Sequence, residues 1–115
     1  MLTVKGQVYL ANFVVDMRKN IDGLSALVVN HFARNPIDGS VYVFINRARN
    51  KIKLLYFDRN GFALWYKRLE QGKFQCPQFD GEVYTLEAAQ LHWLLDGLDF
   101  MKLKGHPTLS YTEFC

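Results

Sequence analysis

Val41-Tyr42-Val43-Phe44-Ile45-Asn46-Arg47-Ala48-Arg49-Asn50-Lys51-Ile52-Lys53-Leu54-Leu55-Tyr56-Phe57-Asp58-Arg59-Asn60-Gly61-Phe62-Ala63-Leu64-Trp65-Tyr66-Lys67-Arg68 is the stretch on which the fold turns. It holds three runs rich in valine, isoleucine and aromatics: Val41 to Ile45, Ile52 to Phe57 and Phe62 to Lys67. Such residues fit the pleated, half-buried surface of a strand. Asp58-Arg59-Asn60-Gly61 between the last two is a hairpin signal, because Asn and Gly tolerate the positive φ of tight turns. The link from Asn46 to Lys51 is polar and basic. Together these features predict a meander of antiparallel strands.

Upstream, Val8 to Ala11 reads as a short strand. Asp16 is placed to cap a helix from about Met17 to His31, with Ile21, Leu24, Leu27, Val28 and His31 on one face. Gly23 inside it costs up to ~1 kcal/mol relative to alanine, so close packing or a late helix start is expected there. Asn35 to Ser40 is a turn cluster. Downstream, Gln71-Gly72-Lys73 makes a turn, and Phe74 to Phe79 reads as an irregular strand interrupted by Pro77. A short strand near Glu82 to Tyr84 leads to Thr85 as an N-cap, with Glu87 in the first turn of a helix that ends at Asp96 and Gly97. The expected fold is α+β: an antiparallel meander sheet with two main helices packed on one face. Residues 1–101 form a single domain in this reading, and 102–115 a C-terminal tail.

A chain of 115 residues, half of them hydrophobic and 22% charged, is not intrinsically disordered. A domain of this size buries roughly two-thirds of the surface its unfolded chain exposes, so it needs neither metal nor disulfide. No apolar stretch approaches the ~20 residues of a membrane span. The N-terminus carries no secretory pattern, and a cytoplasmic protein is expected. Cys76 and Cys115 stand far apart, without a second ligand pair, and read as reduced, incidental thiols rather than a zinc site. Asp80 with Glu82, or Asp96 with Asp99, lacks the third ligand that would make a metal-dependent catalytic site. No phosphate-binding glycine loop and no nucleophile–histidine arrangement is marked locally.

The net charge of +3 is unevenly distributed. From Asn46 to Phe74 the balance is +6, which leaves −3 for the remainder. Arg47, Arg49, Lys51 and Lys53 occupy alternate positions, as side chains on one face of an extended ribbon do. Either plausible hairpin register sets Lys67 and Arg68 opposite residues 51 to 54, at the end away from the Asp58–Gly61 turn. Cations gathered at one end of a sheet repel one another, and a phosphate backbone is the natural offset. A solvated rim that discourages edge-to-edge pairing accounts for them equally well. Tyr56, Phe57, Phe62, Trp65 and Tyr66 are suited to stack on bases, although aromatics in alternating strands are more often core.

Lys51 through Phe74 closely resembles the TnpB-type accessory protein, the second open reading frame product of bacterial insertion sequences of family sixty-six. Val8 to Ala11, Asp16 to Leu24, Tyr42 to Arg47 and Leu94 to Phe100 resemble further motifs of that family, so the likeness spans about residues 8 to 101. The resemblance implies a small protein encoded beside a separate transposase and needed for efficient transposition, with no catalytic residues, metal or cofactor to carry over. By position, Arg47, Lys51, Lys53, Lys67 and Arg68 match family-like basic sites. Arg49 lies in a turn whose wording departs from the family's, and Arg18 and Lys19 extend the basic surface. The expected function is a non-enzymatic accessory factor for DNA transposition, with these cations contacting phosphates at the element ends. The rival is a protein-interaction module that docks the transposase or another accessory subunit. A nuclease ranks below both, and no membrane partner is expected.

Overall fold

The computed structural model describes residues 6–97. The elements in chain order are β1 (Val8–Ala11), α1 (Ile21–Leu27), which runs directly into a π-helical turn over Val28–Phe32, β2 (Val41–Ile45), β3 (Lys51–Asp58), β4 (Gly61–Arg68), β5 (Val83–Leu86) and α2 (Ala88–Leu95). The strands form one sheet in the order β4-β3-β2-β1-β5. The β2-β3-β4 meander is antiparallel as expected, with Val43 opposite Leu54 and Leu55 opposite Leu64. β1 lies parallel to β2, reached through the α1 crossover, and antiparallel to β5. The sheet is therefore mostly antiparallel, and the α+β class holds.

The helices do not share a face. Period-2 alternation sends Val8, Leu10, Val41, Val43, Ile45, Ile52 and Leu54 to one side, where they pack with Leu91, Leu94 and Leu95 of α2 and with Phe74. Ala11, Tyr42, Phe44 and Leu55 point the other way and meet Leu24, Val28 and Phe32 from α1 and its π-helical turn. The physical reason is visible in β2, whose five residues are all apolar and all buried. A strand apolar at every position needs cover on both faces, and burying each large side chain is worth about 1.5–3 kcal/mol.

The first helix starts later than its capping pattern implies. Asp16 caps nothing: its Oδ1 accepts from the Arg18 backbone N–H at 2.9 Å in a local turn. Asn20 takes the N-cap position without a side-chain cap bond. Gly23 sits in the first turn of α1, where a Cβ would come within 3.3 Å of the Lys19 side chain. The expected close packing and late start therefore both occur. His31 lies outside the core, with Nδ1 3.1 Å from Glu82 Oε1. At the second helix Glu87 rather than Thr85 is the N-cap, in a reciprocal capping box with Gln90. Phe74 to Phe79 forms no strand.

The β3–β4 hairpin closes differently from its sequence signal. The positive φ falls on Arg59 (56°), about which the Asn60 N–H donates to the Asp58 carbonyl at 2.6 Å. Gly61 already belongs to β4. The tail from 102 onward, with Cys115, and Asp99 lie outside the described residues.

Candidate functional site

The cationic residues converge on one end of the sheet, where β2 ends, β3 begins and β4 ends. The 46–50 loop builds this end, and Asn46 shapes it. Asn46 Oδ1 accepts from the backbone N–H groups of Asn50 (3.1 Å) and Lys51 (3.0 Å), and its Nδ2 donates to Asn50 Oδ1 at 2.9 Å. Arg49 adopts a left-handed φ of 60° to complete the turn. The next segment clamps the loop: Leu69 N–H donates to the Asn50 carbonyl and Phe74 N–H to the Arg49 carbonyl, each at 2.7 Å. The sequence reading passed over Asn46, and the signal available for it is the tendency of Asn to bond the backbone beyond it in a turn.

The six hairpin cations divide by what their heads touch. Lys53 is buried at 7% exposure. Its Nζ donates to the carbonyls of Met17 (2.7 Å) and Lys19 (2.9 Å) and to Asn20 Oδ1 (3.2 Å), and so pins the segment leading into α1 onto the sheet. Lys67 points to the opposite face, where its Nζ donates to the Leu95 carbonyl at 2.8 Å. A cation there favours the negative end of α2. Arg68 is exposed and paired with Glu70 at 2.9 Å.

Arg47 and Arg49 are exposed and Lys51 half-buried, and among the described residues no acidic side chain pairs with any of them. Lys51 stands directly opposite Arg68 in the β3–β4 register. Like charges in that position destabilise a sheet. Arg18 forks onto Asp16 with Nη2 to Oδ2 at 2.6 Å. The Arg18 side-chain bonds, together with its backbone N–H, hold the Asp16 carboxyl down at about 2. Lys19 is exposed beside them.

Of these cations Arg18, Arg47, Lys51 and Lys53 line an open groove of about 1240 Å³, together with Val14 to Met17, Asn20, Asn46, Ala48, Leu64 and Tyr66. A smaller hollow of about 370 Å³ shares Val14, Asn46 and Arg47 with it and reaches Arg49 and Cys76. Burial pushes the Cys76 thiol up, against the pull of Arg49. Of the meander aromatics, Tyr56, Phe62 and Trp65 pack against the core clusters, and Phe57 meets Phe62 edge-on at 5.2 Å. Tyr66 is the exception, 49% exposed on the groove.

Of the two carboxylate pairs, Asp99 lies outside the described residues. Glu82 bonds His31, Asp96 is the C-cap of α2, and among the described residues no three His, Cys, Asp or Glu side chains gather as a metal site would require. No described helix is long and apolar enough to cross a membrane.

Fold and site together define a small α+β module with one sheet end crowded by cations beside a groove that Tyr66 borders. The family model described as IS66 Orf2 like protein matches residues 6–105, and the chain belongs to that family. It is a transposition-associated accessory protein of an insertion sequence. The chain is 34% identical over 94 residues to "Uncharacterized protein y4hO" of Sinorhizobium fredii, covering 82% of each chain. It is 30% identical over 107 residues to "Uncharacterized protein y4jC" of the same organism, covering 93% of this chain and 92% of that one. No solved structure matches.

Proposed function

We propose that this accessory protein acts in the cytoplasm without catalysing a reaction, by holding DNA of the element ends against the groove end of its sheet. The observation that carries the reading is the Lys51–Arg68 cross-strand pair, two like charges in register beside Arg47. A bound phosphate relieves that repulsion and exchanges with Glu70, whose exposed bridge to Arg68 is worth little in water. Arg47, Arg49, Lys51 and Arg68 contact phosphates, with Arg18 and Lys19 at the margin. Lys53 and Lys67 build the scaffold, since their ammonium groups are already occupied by backbone oxygens. Four contacts on a duplex give a log–log salt slope of about −3.6. Contacts of this kind set position rather than sequence.

A mobility-shift titration across salt with element-end duplex, comparing wild type with Arg47→Ala/Lys51→Ala/Arg68→Ala, tests the proposal. Affinity should collapse and the slope flatten in the variant; an unchanged slope refutes it. The second reading, docking of the transposase, rests on Val14, 54% exposed at the groove wall. Co-purification from nuclease-treated lysate that survives the same triple substitution would favour it.

A further inference from the structure

Tyr66 is the feature that phosphate contacts leave unexplained. On the edge strand β4, Trp65 and Phe62 pack their rings half-buried against the two core clusters. Tyr66 instead stands half in solvent on the groove, and among the described residues no hydrogen bond reaches its hydroxyl. The ring is not loose: Lys53, its cross-strand partner, has Nζ 5.8 Å from the ring centroid and is itself fixed by three oxygens. The result is a positioned aromatic surface with one side open.

Its neighbours supply the rest of a nucleotide site. The pleat puts Arg68 on the same face of β4, two residues on and roughly 7 Å away, with Lys51 directly across from Arg68. Asn46 and Arg47 close the same groove. Tyr66 therefore offers a stacking plane, and the Lys51–Arg68 pair an anion seat within the reach of one base and its own phosphate. A paired base cannot use this arrangement, because its faces are already covered inside the duplex. An unpaired base can, and stacking accepts any base because each has a π face.

We infer that the groove binds an unpaired stretch of DNA, with one base stacked on Tyr66 and the adjoining phosphate on Lys51 and Arg68. This rests on the phosphate-binding reading above and deepens it, since it names single-stranded DNA as the preferred form.

The test is fluorescence anisotropy on the full chain with a labelled oligothymidylate and with a duplex of the same length, at one fixed low salt concentration. Wild type should bind the single strand more tightly. Tyr66→Ala should weaken single-strand binding by at least about fivefold, the low end of what one lost base stack costs, and leave the duplex within about twofold. Tyr66→Phe should keep both affinities, since the ring and not the hydroxyl is used. Thermal melts of both variants show that the fold is intact, as expected for a half-exposed side chain. Duplex binding at least as tight as single-strand binding, a Tyr66→Ala variant with unchanged single-strand affinity, or an equal loss on both probes would each overturn the inference while leaving phosphate binding in place. Binding to neither probe would overturn the phosphate reading itself, a distinguishable result.

Discussion

Replacing Lys53 with methionine separates the scaffold cations from the binding ones. Methionine keeps most of the apolar stem and removes only the ammonium, which spans 36, 34 and 33 positions of sequence to reach Met17, Lys19 and Asn20. Hydrogen bonds from a charged donor contribute about 1.5–3 kcal/mol each, and a buried acceptor left alone costs about 1–3 kcal/mol. Two effects pull the total down: Lys19 and Asn20 border solvent, so water reaches their oxygens, and the desolvation cost of the buried ammonium disappears with it. A net loss of about 2 kcal/mol follows, or roughly 8 °C in Tm for a chain of 115 residues. Urea and thermal unfolding measure it, and the salt slope of DNA binding is measured on the same sample below its transition. Lys51→Met is the paired control. It should leave stability unchanged or raise it by up to about 1 kcal/mol, since the repulsion across to Arg68 goes with the charge, while shifting the slope by about 0.9 toward zero. A Lys53→Met protein as stable as wild type, or one whose slope shifts as that of Lys51→Met does, would refute the division of the cations.

Lys67→Met should cost about 1 kcal/mol through the lost bond to the Leu95 carbonyl at the end of α2, with DNA affinity unchanged; chemical denaturation reads the first and anisotropy the second. Arg49→Gly relieves about 1 kcal/mol of left-handed backbone strain against about 0.5 kcal/mol of added unfolded-chain entropy. Tm should therefore rise by a few degrees while the salt slope loses about one phosphate contact. Tyr42 is fully buried, and burial, with the bond to Asp38, pushes its phenol up to about 12. A raised folded-state value means that the folded protein holds this proton when the unfolded chain has released it. The contribution is fully present below pH 10 and is lost between about 10 and 12. Urea midpoints across that range should fall more steeply for wild type than for Tyr42→Phe, and parallel curves would count against it.

Much of the meander was legible because its information is local. Branched and aromatic residues mark the strands, and the short Asp58–Gly61 link fixes the pairing, so that Lys51 opposite Arg68 and Ile52 opposite Lys67 fall within the expected register. The turn chemistry was less transparent. Asn60 and Gly61 carry the usual positive-φ signal, yet Arg59 takes that conformation, because the strand pairing extends through Gly61. Val41 to Ile45 held a signal for two-sided cover in its unbroken apolar run, and the placement of both helices on one face overlooked it.

By itself the sequence determined the α+β class, the antiparallel meander, the gathering of cations at one sheet end and the family resemblance, all of which follow from residue type, period and order along the chain. Only the tertiary structure decided that α1 and α2 lie on opposite faces, that Tyr66 alone of the meander aromatics stands open on the groove, and which lysines remain available. Lys51 and Lys53 are alike in type, strand and face. The Lys53 ammonium meets the carbonyls of a segment more than thirty positions away, whereas Lys51 stands opposite an arginine in the strand register. An ionic side chain's role is set by the oxygens that surround it, and those are brought together by folding.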